Sequence, residues 1–294
     1  MLGGTRFIGR AIVESALDRG HEVTLFNRGT HRDVFPEAQR VIGDRGTDDV
    51  QQLAGGAWDA VVDVSAYGPA EVRRVLSVLG RDAPHYLYIS TVSVYDSPAP
   101  GSDESAPLLR VDEGIAPESR DAYGGLKVLC EETLRDALGD RLTVLRPTVV
   151  IGPYDYTDRF PWWVRSVARG GRMLVPRRME QPVQLIDAGD LGAFALHTLE
   201  ERIFGVFNAV GPQERLTLGG LVRELVAAFG ASVEVLPDEG GGSSYPLALV
   251  EDGSSDGYFA VSGAAAYQAG LSLRPISESG LDVLHAQAER AESR

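Results

Sequence analysis

The sequence has very little cysteine and no long apolar run. Its only cysteine is Cys130, and a single thiol cannot form an internal disulfide or a cysteine-cluster zinc site, which fits a reducing cytoplasm. No stretch approaches the roughly 18–20 consecutive apolar residues that a membrane-spanning helix needs. Arg6 and Arg10 interrupt the only apolar stretch near the start, which is not the pattern of a signal peptide. We therefore expect a cytoplasmic protein without a membrane partner.

Positive charge is also scarce. The 28 lysines and arginines face 42 aspartates and glutamates, which gives a formal net charge of −14. This excess of negative charge opposes attraction to a phosphate backbone, so nucleic acid is not the expected partner, although one local basic groove stays compatible with it. His85 and His197 have no metal-binding residues near them in the sequence. We assign both to ordinary packing and predict no metal site.

The composition that remains is typical of a globular protein, with 44% hydrophobic and 24% charged residues. Short apolar runs alternate with longer amphipathic ones over the first two-thirds of the chain. The predicted strands are Glu22–Phe26, Arg40–Gly43, Asp59–Val64, His85–Ser90 and Leu142–Arg146, and the predicted helices are Phe7–Arg19, Pro69–Gly80 and Ala122–Leu138. This alternation predicts an α/β fold, a Rossmann-type doubly wound parallel sheet with a smaller mixed α/β substrate domain.

The pattern changes after Pro147. Helices are predicted at Phe160–Arg169, Asp187–Glu201 and Thr217–Phe229, and strands at Val183–Ile186 and Val206–Ala209. We assign 1–147 to a dinucleotide-binding domain to which 183–210 returns, 148–182 and 211–287 to the substrate domain, and 288–294 to a polar tail that frays. Gly240–Ser244 has the composition of a flexible loop, and Pro98–Ser119 is a long insertion, typical of a lid or a mobile segment.

The first strand is unusually short. A Rossmann unit opens with about five strand residues before its first glycine, but only Met1 and Leu2 precede Gly3. Either the natural start lies upstream or the first strand is a stub. We favour a clipped N-terminus.

A glycine-rich turn follows at once. Gly3-Gly4-Thr5-Arg6-Phe7-Ile8-Gly9 lies at a strand-to-helix junction, where glycine lets the backbone approach a pyrophosphate and the helix N-terminus favours an anion. Gly3 and Gly9 fit the outer positions of G-x-x-G-x-x-G, whereas Arg6 occupies the middle one. The alternative is a glycine turn that merely caps a helix.

Three later segments favour a dinucleotide site. The second strand ends in Asn27-Arg28, where a carboxylate would bind the ribose 2′-hydroxyl of NAD, so arginine suits a 2′-phosphate, which Arg6 could also reach. Asp44 could hold the adenine amine, and Ser65-Ala66-Tyr67 follows a strand at the ligand-binding edge. We predict NADP, with NAD as the alternative. Solvated surface cations are the other interpretation of the two arginines.

A tyrosine and a lysine open the next helical stretch. Tyr123 and Lys127 are four residues apart and so project from the same face. A neighbouring ammonium favours the phenolate, and such a pair can exchange a proton with a substrate oxygen while a nicotinamide carries the hydride. Y-x-x-x-K occurs often by chance, and a half-buried helix pair is the alternative. Thr91 and Ser93 follow a predicted strand whose end would face the same crevice.

Together these segments, with Arg146-Pro147 and Gly152-Pro153, resemble the extended short-chain dehydrogenase/reductases, the NAD(P)-dependent sugar epimerase/dehydratase superfamily. The resemblance implies that Tyr123 and Lys127 form the catalytic pair, with Lys127 also anchoring the ribose. It implies that Thr91 orients the substrate carbonyl, with Ser90 or Ser93 as alternatives. It places Ser90, Pro147, Thr148 and Val149 beside the cofactor, and it implies a homodimer.

The leading functional hypothesis is an NADP(H)-dependent oxidoreductase or epimerase/dehydratase that acts on a small substrate, for example one like a sugar nucleotide. Asp112 or Glu113 could supply a second base. The G-G-T-R-F-I-G variant is similar to an atypical branch that includes chloroplast stem-loop RNA-binding proteins. The second hypothesis is therefore a non-catalytic NAD(P)-binding scaffold or an RNA binder.

The substrate side is less constrained by the sequence. The aromatic residues between Tyr154 and Trp163 suit either a pocket or a core helix. Arg177-Arg178 could meet an anionic substrate or be a solvated pair. Asp187 or Asp190 is interpreted as a helix N-cap.

Overall fold

The computed structural model of the protein describes residues 1–79, 83–239 and 245–292. Its strands are β1 Thr24–Asn27, β2 Gln39–Ile42, β3 Val61–Asp63, β4 Tyr86–Ile89, β5 Leu142–Leu145, β6 Val149–Ile151, β7 Gly171–Val175, β8 Pro182–Val183, β9 Leu185–Asp187, β10 Gly205–Phe207, β11 Leu216–Thr217 and β12 Val233–Pro237. Its α-helices are α1 Phe7–Asp18, α2 Pro69–Leu79, α3 Ala122–Leu138, α4 Arg159–Arg169, α5 Ala188–Glu200, α6 Leu218–Phe229, α7 Ala264–Gln268 and α8 Ile276–Glu292.

The main sheet is parallel. β2 pairs with β1, and β3, β4, β5 and β10 pair in that order. Leu2 joins the two halves, because it forms parallel bridges to Phe26 of β1 and to Asp63 of β3. The short first strand predicted from the sequence is therefore part of the sheet, and Leu2 is its one bridged residue. Its backbone is held by hydrogen bonds from Leu2 N to Val62 O at 2.8 Å and from Gly3 N to Phe26 O at 2.9 Å.

Helices cover both faces of this sheet. On β4, Leu87 and Ile89 pack into the cluster that contains α1 and α5, while Tyr86 and Tyr88 pack into the cluster that contains α2 and α3. Alternate residues of a strand point to opposite faces, so a strand that is apolar at every position needs cover on both sides. The predicted doubly wound parallel sheet is confirmed.

A second core lies beyond the sheet. Phe160, Trp163, Leu221, Leu225 and Val283 belong to it, and they come from α4, α6 and α8. Short strand pairs border it, with β7 parallel to β12, β6 parallel to β9 and β8 antiparallel to β11. The single strand predicted at Val183–Ile186 is divided between β8 and β9, which belong to different pairs.

Most predicted elements of the first 147 residues match within two residues at each end, and Ala122–Leu138 matches at both ends. The sequence interpretation did not find β6, β7, β11, β12, α7 or α8. Helix α8 continues to Glu292, past the start of the predicted tail, and its first half joins the second core through Ile276 and Val283. The flexible loop predicted at Gly240–Ser244 lies outside the described residues. No helix of the described residues is long and apolar enough to cross a bilayer.

The insertion at Pro98–Ser119 is held to the rest of the molecule by backbone hydrogen bonds. Gly101 N donates to Ala260 O at 2.7 Å, and Leu109 N donates to Val94 O at 2.8 Å. Ser102 O accepts from the backbone of Ser262 at 2.8 Å. The insertion is thus docked on the segments that follow β4 and precede α7.

Candidate active site

The glycine loop brings helix α1 close to the sheet edge. Gly3 and Gly4 have φ values of +97° and +98°, a backbone conformation that favours glycine. A Cβ on Gly9 would lie 3.0 Å from the Cα of Gly4, so the helix can approach the loop only without a side chain there. Arg6, in the middle position of the motif, has an ordinary extended φ of −135°. That position therefore does not require glycine.

The N-terminus of α1 is open to an anion. Its N-cap residue, Arg6, makes no side-chain capping bond, and the first turn contains no acidic residue. The amides of a first helical turn lack partners inside the helix, and together with the helix dipole they favour a phosphate. A cleft of about 570 Å³ opens in front of them. It is lined by Gly3, Gly4, Thr5, Arg6, Phe7, Ile8, Gly9, Phe26, Asn27, Arg28, Thr30, His31, Gly43, Asp44, Arg45, Val64, Ser65, Tyr67, Glu71 and Tyr156. We call this the cofactor cleft.

Asn27 and Arg28 lie at one end of the cofactor cleft. The Asn27 amide donates to Gly3 O at 3.1 Å and accepts from the backbone of Gly29 at 2.9 Å, so it braces the glycine loop. Arg28 is exposed, and its guanidinium has no ion pair or hydrogen bond within the part of the chain that the structure describes. Arg6 lies 4.3 Å from the ring centre of Tyr156. The cofactor cleft is therefore lined by Arg28, which has no ion pair among the described residues, and by Arg6, which lies against Tyr156.

A buried ion pair that the sequence interpretation missed forms the floor of the cofactor cleft. Both terminal nitrogens of Arg45 donate to Asp63, at 2.6 and 2.9 Å, and one also donates to Ser65 Oγ at 2.8 Å. Burial opposes both charges, but each partner outweighs it, so the pKa of Arg45 is raised and that of Asp63 is lowered. Asp63 also accepts from the Tyr86 hydroxyl at 2.8 Å. The sequence contained one indication of this pair, because the basic residue Arg45 directly follows Asp44, which was predicted to bind the cofactor.

Asp44 and Ser65 line the cofactor cleft as predicted from the sequence, and Tyr67 does too, but Ala66 does not. Ala66 is fully buried, and its backbone nitrogen donates to Asp63 at 3.1 Å. Asp44 Oδ1 accepts from Gly46 N at 2.7 Å, so this oxygen is already engaged in a turn.

A second cleft of about 630 Å³ contains Tyr123 and Thr91. It is lined by Thr91, Val92, Ser93, Leu109, Arg120, Asp121, Tyr123, Gly124, Thr148, Val149, Arg159, Ala248, Leu249, Val250, Ser255, Tyr258 and Phe259. We call this the catalytic cleft. Helix α3 can begin here because position 124 is glycine, where a Cβ would lie 1.9 Å from Ser93 O. Thr148 and Val149, predicted beside the cofactor, therefore lie with Tyr123.

Thr91 and Tyr123 line the same cleft and influence each other. Burial raises the pKa of Tyr123, and the charge of Tyr67 raises it further, while the hydrogen bond with Thr91 and the charge of Arg159 oppose that rise. The phenol is consequently protonated at neutral pH. Thr91 Oγ1 also donates to Ser93 Oγ at 3.2 Å and accepts from the Ser93 backbone at 3.1 Å.

Lys127 is buried, and its Nζ lies close to two tyrosine rings. Its Nζ donates to Ile89 O at 2.9 Å and lies 5.0 Å from the ring centre of Tyr67 and 4.7 Å from that of Tyr88. Burial lowers its pKa to about 8. Among the described residues, Lys127 is not one of the groups that shift the pKa of Tyr123 most. Lys127 lines neither cleft.

Tyr67 and Tyr123 bring the linings of the two clefts close together. The ring centre of Tyr67, which lines the cofactor cleft, is 6.5 Å from that of Tyr123, which lines the catalytic cleft. Tyr67 is 55% exposed and Tyr123 is 49% exposed. The two clefts are therefore lined by neighbouring tyrosines at this point.

Residues 1–209 match the sequence model of the NAD dependent epimerase/dehydratase family, which is well over half of the chain. The chain belongs to this family. Chloroplast stem-loop binding protein of 41 kDa b from Arabidopsis thaliana is 28% identical over 250 residues, which cover 78% of this chain and 62% of that protein. The chain therefore spans less than two thirds of the length of this relative.

Solved structures from the same group share the fold. The UDP-Glc/GlcNAc 4-epimerase of Campylobacter jejuni has a TM-score of 0.72 at 16% identity, with 98% of both chains covered. The UDP-glucose 4-epimerase of Thermus thermophilus, in complex with NAD, has a TM-score of 0.69 at 17% identity, with 97% of both chains covered. At these identities the likeness establishes the fold alone.

In this epimerase/dehydratase-family chain, a buried network lies beneath the catalytic cleft. Arg146 pairs with Glu131 at 2.5 Å, and both side chains are almost fully buried. Ser90 donates to the same carboxylate at 2.5 Å, and Arg146 also donates to the Tyr95 hydroxyl at 3.0 Å. Ser90, predicted beside the cofactor, therefore lines neither cleft. Pro147 does not line them either, and its carbonyl accepts from Val92 N at 3.1 Å.

The two acids named as candidates for a second base, Asp112 and Glu113, lie outside both clefts. Glu113 is exposed and makes two hydrogen bonds to Arg73, at 2.8 and 2.7 Å. Asp112 lines neither cleft. The acid that does line the catalytic cleft is Asp121, directly before α3.

The basic pair at Arg177-Arg178 is engaged elsewhere. Arg177 pairs with Glu239 at 3.2 Å, and Arg178 donates to Asp256 at 2.7 Å. Neither arginine lines the two clefts. Arg178 instead holds the segment before α7 that forms the far wall of the catalytic cleft.

The remaining predicted residues have structural positions. The aromatic cluster is divided, since Phe160 and Trp163 are core residues while Tyr156 lines the cofactor cleft. Asp187 caps α5 by accepting from Gly189 N at 2.7 Å. His85 is buried and bonded to Thr143 at 2.7 Å. No group of three metal-binding side chains occurs within the described ranges.

Proposed function

We propose that this chain is an NADP(H)-dependent oxidoreductase or epimerase/dehydratase that acts at a hydroxyl or carbonyl carbon of a small molecule. The observation that carries the proposal is that Tyr123 and Thr91 line one cleft, and that the Tyr123 ring centre lies 6.5 Å from that of Tyr67, which lines the cofactor cleft. Family membership supports the same class of reaction. The UDP-sugar epimerases among the solved structures make a sugar nucleotide one candidate substrate.

The residues present fit a dinucleotide. The open first turn of α1 and the glycine loop would hold the diphosphate, because glycine leaves room for a close backbone approach and the amides lack partners. When bound, a nicotinamide supplies hydride transfer to or from the substrate carbon. Asn27 stands where a carboxylate would select NAD, and Arg28 beside it is unpaired within the described residues, which favours the 2′-phosphate of NADP.

Tyr123 would act first as an acid. Its raised pKa keeps the phenol neutral at pH 7, so it can donate a proton to a developing alkoxide, while Thr91 donates to the same oxygen. In the opposite direction the phenolate is needed, so oxidation of a hydroxyl should accelerate as the pH rises toward the pKa of Tyr123. Lys127 would position the end of β4 through its bond to Ile89 O, and with it Thr91.

The test is NADPH oxidation, followed by its absorbance, with a panel of sugar nucleotides, aldehydes, ketones and oxo acids. On any substrate found, Tyr123→Phe should lower kcat by about 100-fold or more, since general acid–base catalysis contributes that much. Tyr258→Phe is the matched control, because this phenol lines the same cleft but donates to Tyr95 O at 3.1 Å. Equal turnover in Tyr123→Phe and the wild type would remove Tyr123 from the reaction.

A further inference from the structure

Two arginines of the catalytic cleft have no carboxylate partner among the described residues. Arg120 and Arg159 both line this cleft, and the one bond recorded for either side chain runs from Arg159 Nε to Thr157 Oγ1, at 3.0 Å. In contrast, Arg165 on the same helix as Arg159 makes two bonds to Asp158, at 2.7 and 2.6 Å. Both guanidinium groups are exposed and have no carboxylate partner among the described residues, so they are free to receive an anion that enters the cleft.

Arg159 is close to the proposed reacting group. Its charge lowers the pKa of Tyr123, against the burial that raises it. Thr91 and Tyr123 line the same cleft as both arginines. An anion held by these arginines would therefore share the cleft with the Tyr123 phenol.

Apart from Asp121, the rest of the cleft lining is neutral. Leu109, Leu249 and Phe259 supply an apolar wall. Asp121 is the carboxylate among the lining residues, so the two arginines leave the cleft with an excess of positive charge. This combination fits a molecule with an anionic group and an apolar part.

We propose that Arg120 and Arg159 bind the carboxylate or phosphate of an acidic substrate beside the Tyr123 hydroxyl. The inference rests on the proposed function, because it names the substrate class of the same site. Guanidinium groups bind either oxyanion through paired, charge-assisted hydrogen bonds. The substrate class is thus a hydroxy or oxo compound whose acidic group lies close to the reacting carbon.

The experiment is isothermal titration of protein saturated with NADP⁺, so that the anion site at α1 is already filled. The probes are benzoate, phenyl phosphate and the neutral benzamide. We expect at least one acid to bind and benzamide to bind at least about tenfold more weakly. Arg120→Gln and Arg159→Gln should each weaken the acid by about tenfold, which corresponds to one charge-assisted hydrogen bond. The tighter of the two acids identifies carboxylate or phosphate as the natural group.

Arg165→Gln is the matched control, because Arg165 is paired with Asp158 and does not line the cleft. It should bind the acid as the wild type does. Acid binding that survives in the double variant Arg120→Gln/Arg159→Gln, or benzamide that binds as tightly as the acids, would overturn the proposal. Melting temperatures of the variants verify that each is folded.

The test of acid binding can be distinguished from the test of the catalytic role of Tyr123. Tyr123→Phe should bind the acid normally, because the phenol is neutral and contributes no charge. Failure of the acid to bind, with normal NADPH binding and a Tyr123-dependent turnover, would overturn the acidic substrate alone. Loss of Tyr123 dependence with intact acid binding would instead contradict the catalytic role.

Discussion

Tyr123 and Lys127 lie one helical turn apart on α3, and burial shifts their pKa values in opposite directions. The pKa of Tyr123 is raised, and that of Lys127 falls from 10.5 to about 8. Both shifts favour the neutral form, because a low-dielectric surrounding penalises charge. That the Lys127 ammonium favours the Tyr123 phenolate stays a prediction, and a neutral phenol would donate its proton in the direction of reduction.

The pKa of Lys127 can be measured directly, because it is the only lysine of the chain. A protein labelled with ¹³C-lysine should give one side-chain NMR signal that titrates near pH 8. A midpoint near 10.5 would contradict the burial described here. The pKa of Lys127 is lower in the folded protein than in the unfolded chain. The charged amine therefore destabilises the folded state below pH 8, and this destabilisation disappears as the pH rises to about 10.5. This destabilisation is roughly 3 kcal/mol.

Arg28 is the residue that we expect to favour NADPH over NADH. Arg28→Gln should weaken NADPH about tenfold and leave NADH unchanged, because one charge-assisted contact to the 2′-phosphate is lost. Arg32→Gln serves as control, since Arg32 donates to Gly29 O and does not line the cofactor cleft. Both ligands are measured by titration calorimetry. An equal loss for NADPH and NADH would exclude a 2′-phosphate role.

At the scale of elements, the glycine loop and α1 form one unit. Gly9→Ala places a Cβ 3.0 Å from Gly4 Cα, Gly4 N and Val64 Cγ2. Because the backbone of Gly4 must then move, we expect NADPH to bind about tenfold more weakly or worse and the protein to lose about 1–3 kcal/mol of stability. Gly114→Ala is the control, since a Cβ there meets no atom within 4 Å. Calorimetry and urea unfolding measure the two effects; unchanged affinity in Gly9→Ala would show that the loop tolerates the shift.

The elements of the main sheet were predictable because each carries a local pattern. β4 is apolar at every position and α1 and α3 follow the helical period, so propensity and burial agree. Helix α8 has a largely polar sequence. Its few apolar residues pack into the second core, and this packing cannot be read from the local sequence pattern. The division of 182–187 into β8 and β9 depends on two different partners, which a single strand pattern does not specify.

The candidate site was predictable to the same extent. The glycine loop, Arg28, Thr91 and Tyr123 could be identified because each follows or opens a recognisable element. The pairing of Arg45 with Asp63 joins residues 18 positions apart, and that of Glu131 with Arg146 joins two elements. Such pairs form only after folding brings distant parts of the chain together, so the sequence pattern does not predict them. The burial of Lys127 beneath Tyr67 is of the same kind.

The net charge of the whole molecule affects how well it can bind nucleic acid. The stem-loop binding relative shares 28% identity with this chain, but the net charge of −14 opposes a phosphate backbone. We expect a filter-binding assay at low salt to show weak retention of a stem-loop RNA. Tight, salt-sensitive retention would instead support RNA binding as a second function, independent of turnover.

The proposed function requires that the cofactor cleft and the catalytic cleft form one active site. A crystal structure of the NADPH complex would show whether they do. We expect the diphosphate on the amides at the start of α1, the 2′-phosphate at Arg28, and the nicotinamide at Tyr67, facing the Tyr123 hydroxyl. A nicotinamide bound away from Tyr123, or a dinucleotide bound outside the glycine loop, would contradict it.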